Sequence, residues 1–421
     1  MANRHFPVRP NLEQLKHQAK DLLRALRDGD SEAITDFREH HNKQVDAESA
    51  RLADAQFVLA RSYGLPSWPR LVIACRMTDA IWRGDVDAVQ QMVMRDPRLL
   101  EEDARGVKGN WGPPLSYAAN VGQDAMIEML RGLGASDLEY AFGRACLQGH
   151  VGTARKLHAM MGSPRPPDDA FSGTAYTLNV EGTALLLELG ARLYDDSGNG
   201  LAHVDVVLET DSRNPTAKHR ILELYAEHGF NYPDTPMMAL HRGRIDLLER
   251  HLRRDPGLMR RTFAFEEIFP PELGCHDEVL ATHGTPLGGT TLLHVCADYD
   301  EIEIARWLFE RGFNVDERAQ VDRDGFGGHT ALFGTVVSQP NFWINHFGRK
   351  PEAPFTQLLL EHGSDPNVRV SLRKELHPGY GIPGMREYRL VTPVSWGEQF
   401  HFKKLVNTAA IELIKDRGGL P

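Results

Sequence analysis

Hydrophobic positions in GTTLLHVCADYDEIEIARWLFERGFNVDER, residues 289–318, fall into two short helical stripes. Leu292, Leu293, Val295 and Cys296 form the first, with Thr291 placed as its cap. Ile302, Ala305, Leu308 and Phe309 form the second, with Asp300 as its expected cap. Gly312 then suits a left-handed helix ending. A helix-turn-helix-loop unit of about 33 residues cannot bury both faces alone, so the pattern predicts stacking on similar units.

The closing element recurs: MLRGLGASD at Gly134, LLELGARLY at Gly190, LYAEHGFNY at Gly229, LFERGFNVD at Gly312, LLEHGSDPN at Gly363 and LIKDRGGLP at Gly418. Two more units end at Asp96 and Asp255, where Pro97 and Pro256 would stop the helix. Openings recur in PPLSYAANVGQDAMIEML (113–130), MMALHRGRIDLLERHL (237–252) and HTALFGTVV (329–337). These segments resemble ankyrin repeats, in a degenerate, bacterial-type form, whose usual opening is Thr-Pro-Leu-His and whose close is Leu-Leu-x-x-Gly-Ala. Residues 291–297 come nearest the opening, with Leu292 in place of Pro and His294 at the His position, and Thr392-Pro393 restores the dipeptide. The resemblance implies an all-α ankyrin-repeat solenoid whose units are two antiparallel helices and a projecting finger loop. It also implies protein binding as the usual work and a structural, backbone-bonding role for His294.

Residues 11–76 read as helices without the repeat. NLEQLKHQAKDLLRALRDGD sets Leu12, Leu15, Ala19, Leu22 and Leu23 on one face behind Asn11 as cap. The end of a solenoid needs a polar covering, so 1–76 is expected to be a helical cap and 77–421 the solenoid. Residues 52–76 also resemble a DNA-binding helix-turn-helix, with Gly64 at the turn and Trp68 and Arg70 facing the groove. Pro66, Pro69 and the scarcity of basic residues on its second helix count against that.

Composition narrows the classes. In 421 residues, 41% hydrophobic and 25% charged, no apolar run approaches the ~20 residues of a membrane span. The basic start has no apolar core after it, so no secretory signal is read and a cytoplasmic location is expected. A net charge of -10 argues against nucleic acid or anionic lipid as partner. Cys75, Cys146, Cys275 and Cys296 are widely spaced and form no CxxC pair, which predicts reduced thiols. Neither a cofactor nor a metal site is expected.

Late in the chain the repeat lengthens, with about 50 to 57 residues separating Asp255, Gly312, Gly363 and Gly418. Insertions in a solenoid map to loops, and loops on a rigid scaffold carry binding. Three are expected: 261–288 and 369–390 on the finger side, and 340–354 between the helices of one unit. RVSLRKELHPGYGIPGMREYRL, 369–390, is basic and aromatic in an acidic chain. Arg369, Arg373, Lys374, His377, Tyr380, Arg386, Tyr388 and Arg389 have the composition of a binding hot spot, and Arg pairs bidentately with carboxylate or phosphate. Alternatively these arginines neutralise acids of the same chain, such as Asp322, Asp324 and Asp365. Cys275, His276, Asp277, Glu278 and His283 match no standard metal or catalytic spacing.

Three functions are compatible with this pattern. The leading one is a scaffold binding another protein through late fingers and the adjoining concave face. The second is an enzyme or binder of an anionic small molecule, with insertions 261–288 and 369–390 closing a pocket, Arg386 or Arg389 holding the anion and His276 or His283 as acid/base. The third, with least support, is DNA binding through Trp68 and Arg70.

Overall fold

Asn11 accepts the Gln14 amide at 3.0 Å and starts the helix Leu12–Arg27, whose buried stripe is Leu15, Ala19, Leu22 and Leu26. The same logic of capped, one-sided helices runs through the computed structural model, which describes residues 4–43, 45–210, 214–280, 283–338, 352–376, 379 and 384–421. The chain is mostly helical and divides into two units, Met1–Arg165 and Pro166–Pro421. Among the described residues no helix is long and apolar enough to cross a membrane.

In the first unit, Leu12–Arg27, Ser31–His40 and Leu52–Ser62 pack on one another and on Trp68–Arg83. Helix pairs follow: Trp68–Arg83 with Val86–Arg95, Pro114–Asn120 with Asp124–Gly132, and Leu138–Gln148 with Val151–Met160. First helices pack on first helices, and Val86–Arg95 packs on Asp124–Gly132. The boundary expected at 76/77 lies inside Trp68–Arg83, which packs both on Leu12–Arg27 and Leu52–Ser62 before it and on Val86–Arg95 after it.

The second unit continues with pairs such as Pro236–His241 with Ile245–Arg254, Leu292–Tyr299 with Ile302–Glu310, and Pro393–Gln399 with Thr408–Asp416. Leu292–Tyr299 packs on Ala331–Val336, and that helix packs on Pro393–Gln399. The six glycines of the recurring close have φ between 78° and 105°, the left-handed ending their positions predict. Asp300 departs from expectation. It ends the first helix at φ 59°, and Glu301 takes the N-cap position of the second. The tight turn needs a left-handed residue there, where other pairs have Gly149 or Gly243, and Asp tolerates that region better than most side chains.

Within the mostly helical chain, insertion 369–390 carries a two-stranded antiparallel sheet of β1 (Val370–Lys374) and β2 (Arg386–Val391), which ends one residue past it. Val370 faces Val391 and Leu372 faces Tyr388, so a finger this long gains cross-strand apolar pairs that a short loop lacks. Most of insertion 340–354 lies outside the described residues.

Candidate functional site

Four fingers of the second unit close through antiparallel pairing: Tyr194 with Gly200, Phe263 with Thr290, Val321 with Gly327, and β1 with β2. The 321–327 tip is fixed by Asp322, whose Oδ1 accepts the Phe326 and Asp324 amides at 2.9 Å each. Those bonds, with Arg373 nearby, hold its carboxyl below the usual range. Gln320 donates its amide to the Gly289 carbonyl and Gly327 to that of Ser371, both at 2.8 Å, so the last three fingers are bonded edge to edge.

A cleft of about 370 Å³ opens among these three fingers. Glu278, Pro286 and Gly288 line it from the first insertion, Gln320, Asp322 and His329 from the middle finger, and Arg373, Lys374 and Glu375 from β1. Val279, Val321 and Met385 supply apolar lining and are themselves exposed. Insertions 261–288 and 369–390 therefore meet at one cavity.

The arginines are largely engaged within the chain. Arg373 pairs with Asp322 at 2.7 Å and Asp324 at 3.0 Å, and lies 5.0 Å from the Phe326 ring centre. Arg389 lies 4.3 Å from the same ring and pairs with Glu387 at 2.7 Å. Arg369 donates to the Leu390 and Pro421 carbonyls. Arg386 is exposed on β2 and forms no ion pair among the described residues. Tyr388 is 7% exposed, packed edge-on to Trp396 and stacked with Phe400, its hydroxyl bonded to His401 Nδ1. His377 and Tyr380 lie outside the described residues.

Lys374 is the unusual member. It is 3% exposed, and among the described residues its Nζ reaches one acceptor, the Glu278 carbonyl, at 3.4 Å. Burial drives its pKa down, against the opposing pull of Glu278 and Asp298.

The histidines considered as acid/base do not line this cleft. His283 is 1% exposed, holds Asp298 at 3.0 Å and stacks on Phe269. His276 bonds Glu209 at 2.6 Å, which raises its pKa. His294 donates from Nε2 to the His329 carbonyl at 3.0 Å while Nδ1 meets the Thr291 hydroxyl at 2.8 Å; burial brings its pKa down to about 4. All four cysteines are buried, and burial pushes their thiols up, Cys75 and Cys146 to about 12, so they are not nucleophiles at neutral pH.

In the first unit, Trp68 packs on the core of the N-terminal helices and Arg70 is tied to Glu102 at 2.8 Å and to the Asp103 carbonyl. That guanidinium is not free to meet a phosphate. The sequence pattern did not single out Val321, Phe326 or Met385, and Glu278 was set aside for want of a standard spacing, because a cleft shared by three fingers has no linear signature.

No family model matches the chain, and no curated protein matches it. Among solved structures, the human ASB11 ankyrin repeat domain aligns with 82% of this chain and 98% of its own at 12% identity, with a TM-score of 0.21. Superposition that loose carries no argument, and the functional reading rests on the chain's own geometry.

Proposed function

We propose that the chain is a cytoplasmic ankyrin-repeat scaffold that binds a partner protein through the finger side of its second unit. The observation that carries this is a set of apolar tips on well-packed stems. Val321, Met385 and Leu390 are 61%, 52% and 67% exposed, while Leu372, Leu376 and Tyr388 beneath them are buried. Phe326 beside them carries Arg373 and Arg389. Aromatic, arginine and apolar groups pre-set on rigid elements are the composition of a binding hot spot. Arg386 and Arg369 then act at the rim, Tyr388 fixes β2, and Lys374, His377 and Tyr380 complete the set. The test compares wild type with the double variant Val321→Asp/Met385→Asp in affinity capture from the native host. A partner held by wild type and lost by the variant, at an unchanged melting temperature, supports the reading; equal capture by both rejects it.

A second reading, an anionic small molecule held in the cleft, is favoured by Lys374, a buried amine with one long hydrogen bond. Its volume falls within the range of ligand pockets, at the small end.

A further inference from the structure

The first unit buries two guanidinium groups without a carboxylate partner. Arg144, on the helix Leu138–Gln148, is 9% exposed, and its one hydrogen bond among the described residues runs from Nε to the Asn120 side-chain oxygen at 2.7 Å. Arg105 is 6% exposed and donates to the Phe6 carbonyl. Neither forms an ion pair among the described residues, although the chain as a whole carries ten excess negative charges. Burial lowers the pKa of both. A buried guanidinium without an anion is costly and is kept where something repays it.

The surroundings of Arg144 are aromatic. Its guanidinium carbon lies 5.8 Å from the Trp111 ring centre, and Trp111 in turn packs on Tyr117 at 5.0 Å and Trp82 at 6.4 Å. Tyr140, four residues earlier on the same helix face, is 44% exposed, and Trp82 is 36% exposed. The chain's own N-terminal segment covers the Trp82 end of this cluster. There the Val8 carbonyl accepts from the Tyr117 hydroxyl at 2.8 Å, and Arg9 lies 5.5 Å from the Trp82 ring centre while pairing with Asp79. That segment thus meets the Tyr117 hydroxyl and one Nη of Arg105, while among the described residues the Nη groups of Arg144 have no hydrogen-bond partner.

We propose that Arg144, with Trp111 and Tyr140, is a binding site for a carboxylate carried on an apolar group. The Asn120 contact fixes the guanidinium plane, which leaves two parallel N–H donors matched to a planar carboxylate. The neighbouring rings suit an apolar body. A dianion such as phosphate fits less well, because Tyr140 is the one other titratable group that bears on Arg144 and no second cation does.

The full chain is titrated at constant ionic strength with isovalerate, its neutral isostere isovaleramide and inorganic phosphate, reading tryptophan emission and melting temperature. Isovalerate should give a saturable emission change and a raised melting temperature, and isovaleramide and phosphate neither. Arg144→Lys keeps the charge but loses the fork, and should weaken isovalerate by about tenfold or more. Arg144→Met should abolish the response; if that variant fails to fold, the Lys variant decides. An equal response to the amide, a phosphate response as strong as that of isovalerate, no response at all, or Arg144→Lys indistinguishable from wild type would each overturn the site.

Discussion

Lys218 and Lys374 are both buried in the second unit, 2% and 3% exposed, yet their surroundings differ. Lys218 Nζ meets a Glu301 oxygen at 2.9 Å, His219 Nε2 lies 3.0 Å from the same carboxylate, and the Tyr299 ring centre is 4.1 Å from the amine. Burial alone would raise the Glu301 carboxyl, but Lys218 and His219 together outweigh it and hold it below the ordinary range. Among the described residues Lys374 Nζ forms no ion pair within 4 Å and one hydrogen bond, to a carbonyl at 3.4 Å, with Glu278 and Asp298 acting from further off, and it borders a cleft. An ion neutralised within the chain is part of the core. One left nearly bare beside a cavity is a means of meeting something from outside.

Removing the Lys218 partner should have the largest effect of any single group. Glu301→Ala strands a buried ammonium and is expected to cost about 3–5 kcal/mol by urea unfolding. A cost below about 1 kcal/mol would erase the distinction between the two lysines.

Acidification comes next, and it probes the histidines rather than the ion pair. Burial lowers the pKa of His241 to about 3, His294 to about 4 and His329 to about 3. Their unfolded value is about 6.5, so between these limits the unfolded chain binds more protons. Stability is therefore complete above about pH 6.5 and falls as pH drops, by about 2 kcal/mol per histidine at pH 5. Glu301, with its pKa lowered, keeps its contribution through that range and loses it only further down. Melting midpoints that agree at pH 7 and pH 5 would show the histidines protonating at no cost.

The smallest effect is expected at Lys374. Lys374→Met should change stability by no more than about 1 kcal/mol at pH 7, since little compensates the charge that is lost. The folded pKa of Lys374 lies below its ordinary 10.5, so its cost is full below the folded value and is relieved as pH rises from there towards 10.5. Wild type should accordingly gain on the Met variant between pH 7 and pH 9.5. A loss above about 3 kcal/mol at pH 7 would place Lys374 with Lys218.

What could be read from the sequence was local. The helix stripe of Leu15, Ala19 and Leu22, the Asn11 and Thr291 caps and the left-handed glycines at repeat ends each depend on neighbours a few residues away. The backbone bond of His294 also followed from its place in the repeat. Glu301 was hidden because its partners, Lys218 and His219, lie about 82 residues earlier, and Asp300 looked the better cap by composition. The cleft was half legible. Unequal repeat lengths marked which loops were elaborated, but charge counting could not tell that Arg373 is paired with Asp322 and Asp324, or that Tyr388 packs inward on Trp396. Those outcomes depend on where the middle finger and the last helix pair come to rest.

The β1–β2 finger has a consequence for how molecules of this protein meet one another. β2 is the outer strand of its sheet, and an outer strand offers a row of backbone donors and acceptors to any passing chain. Here Arg386, Glu387 and Arg389 project from it as exposed charges, and Leu390 turns to φ 50° where the register with β1 shifts. Charge and kink together deny a second chain a straight edge on which to add a strand. The apolar tips can therefore stand in solvent without seeding an intermolecular sheet.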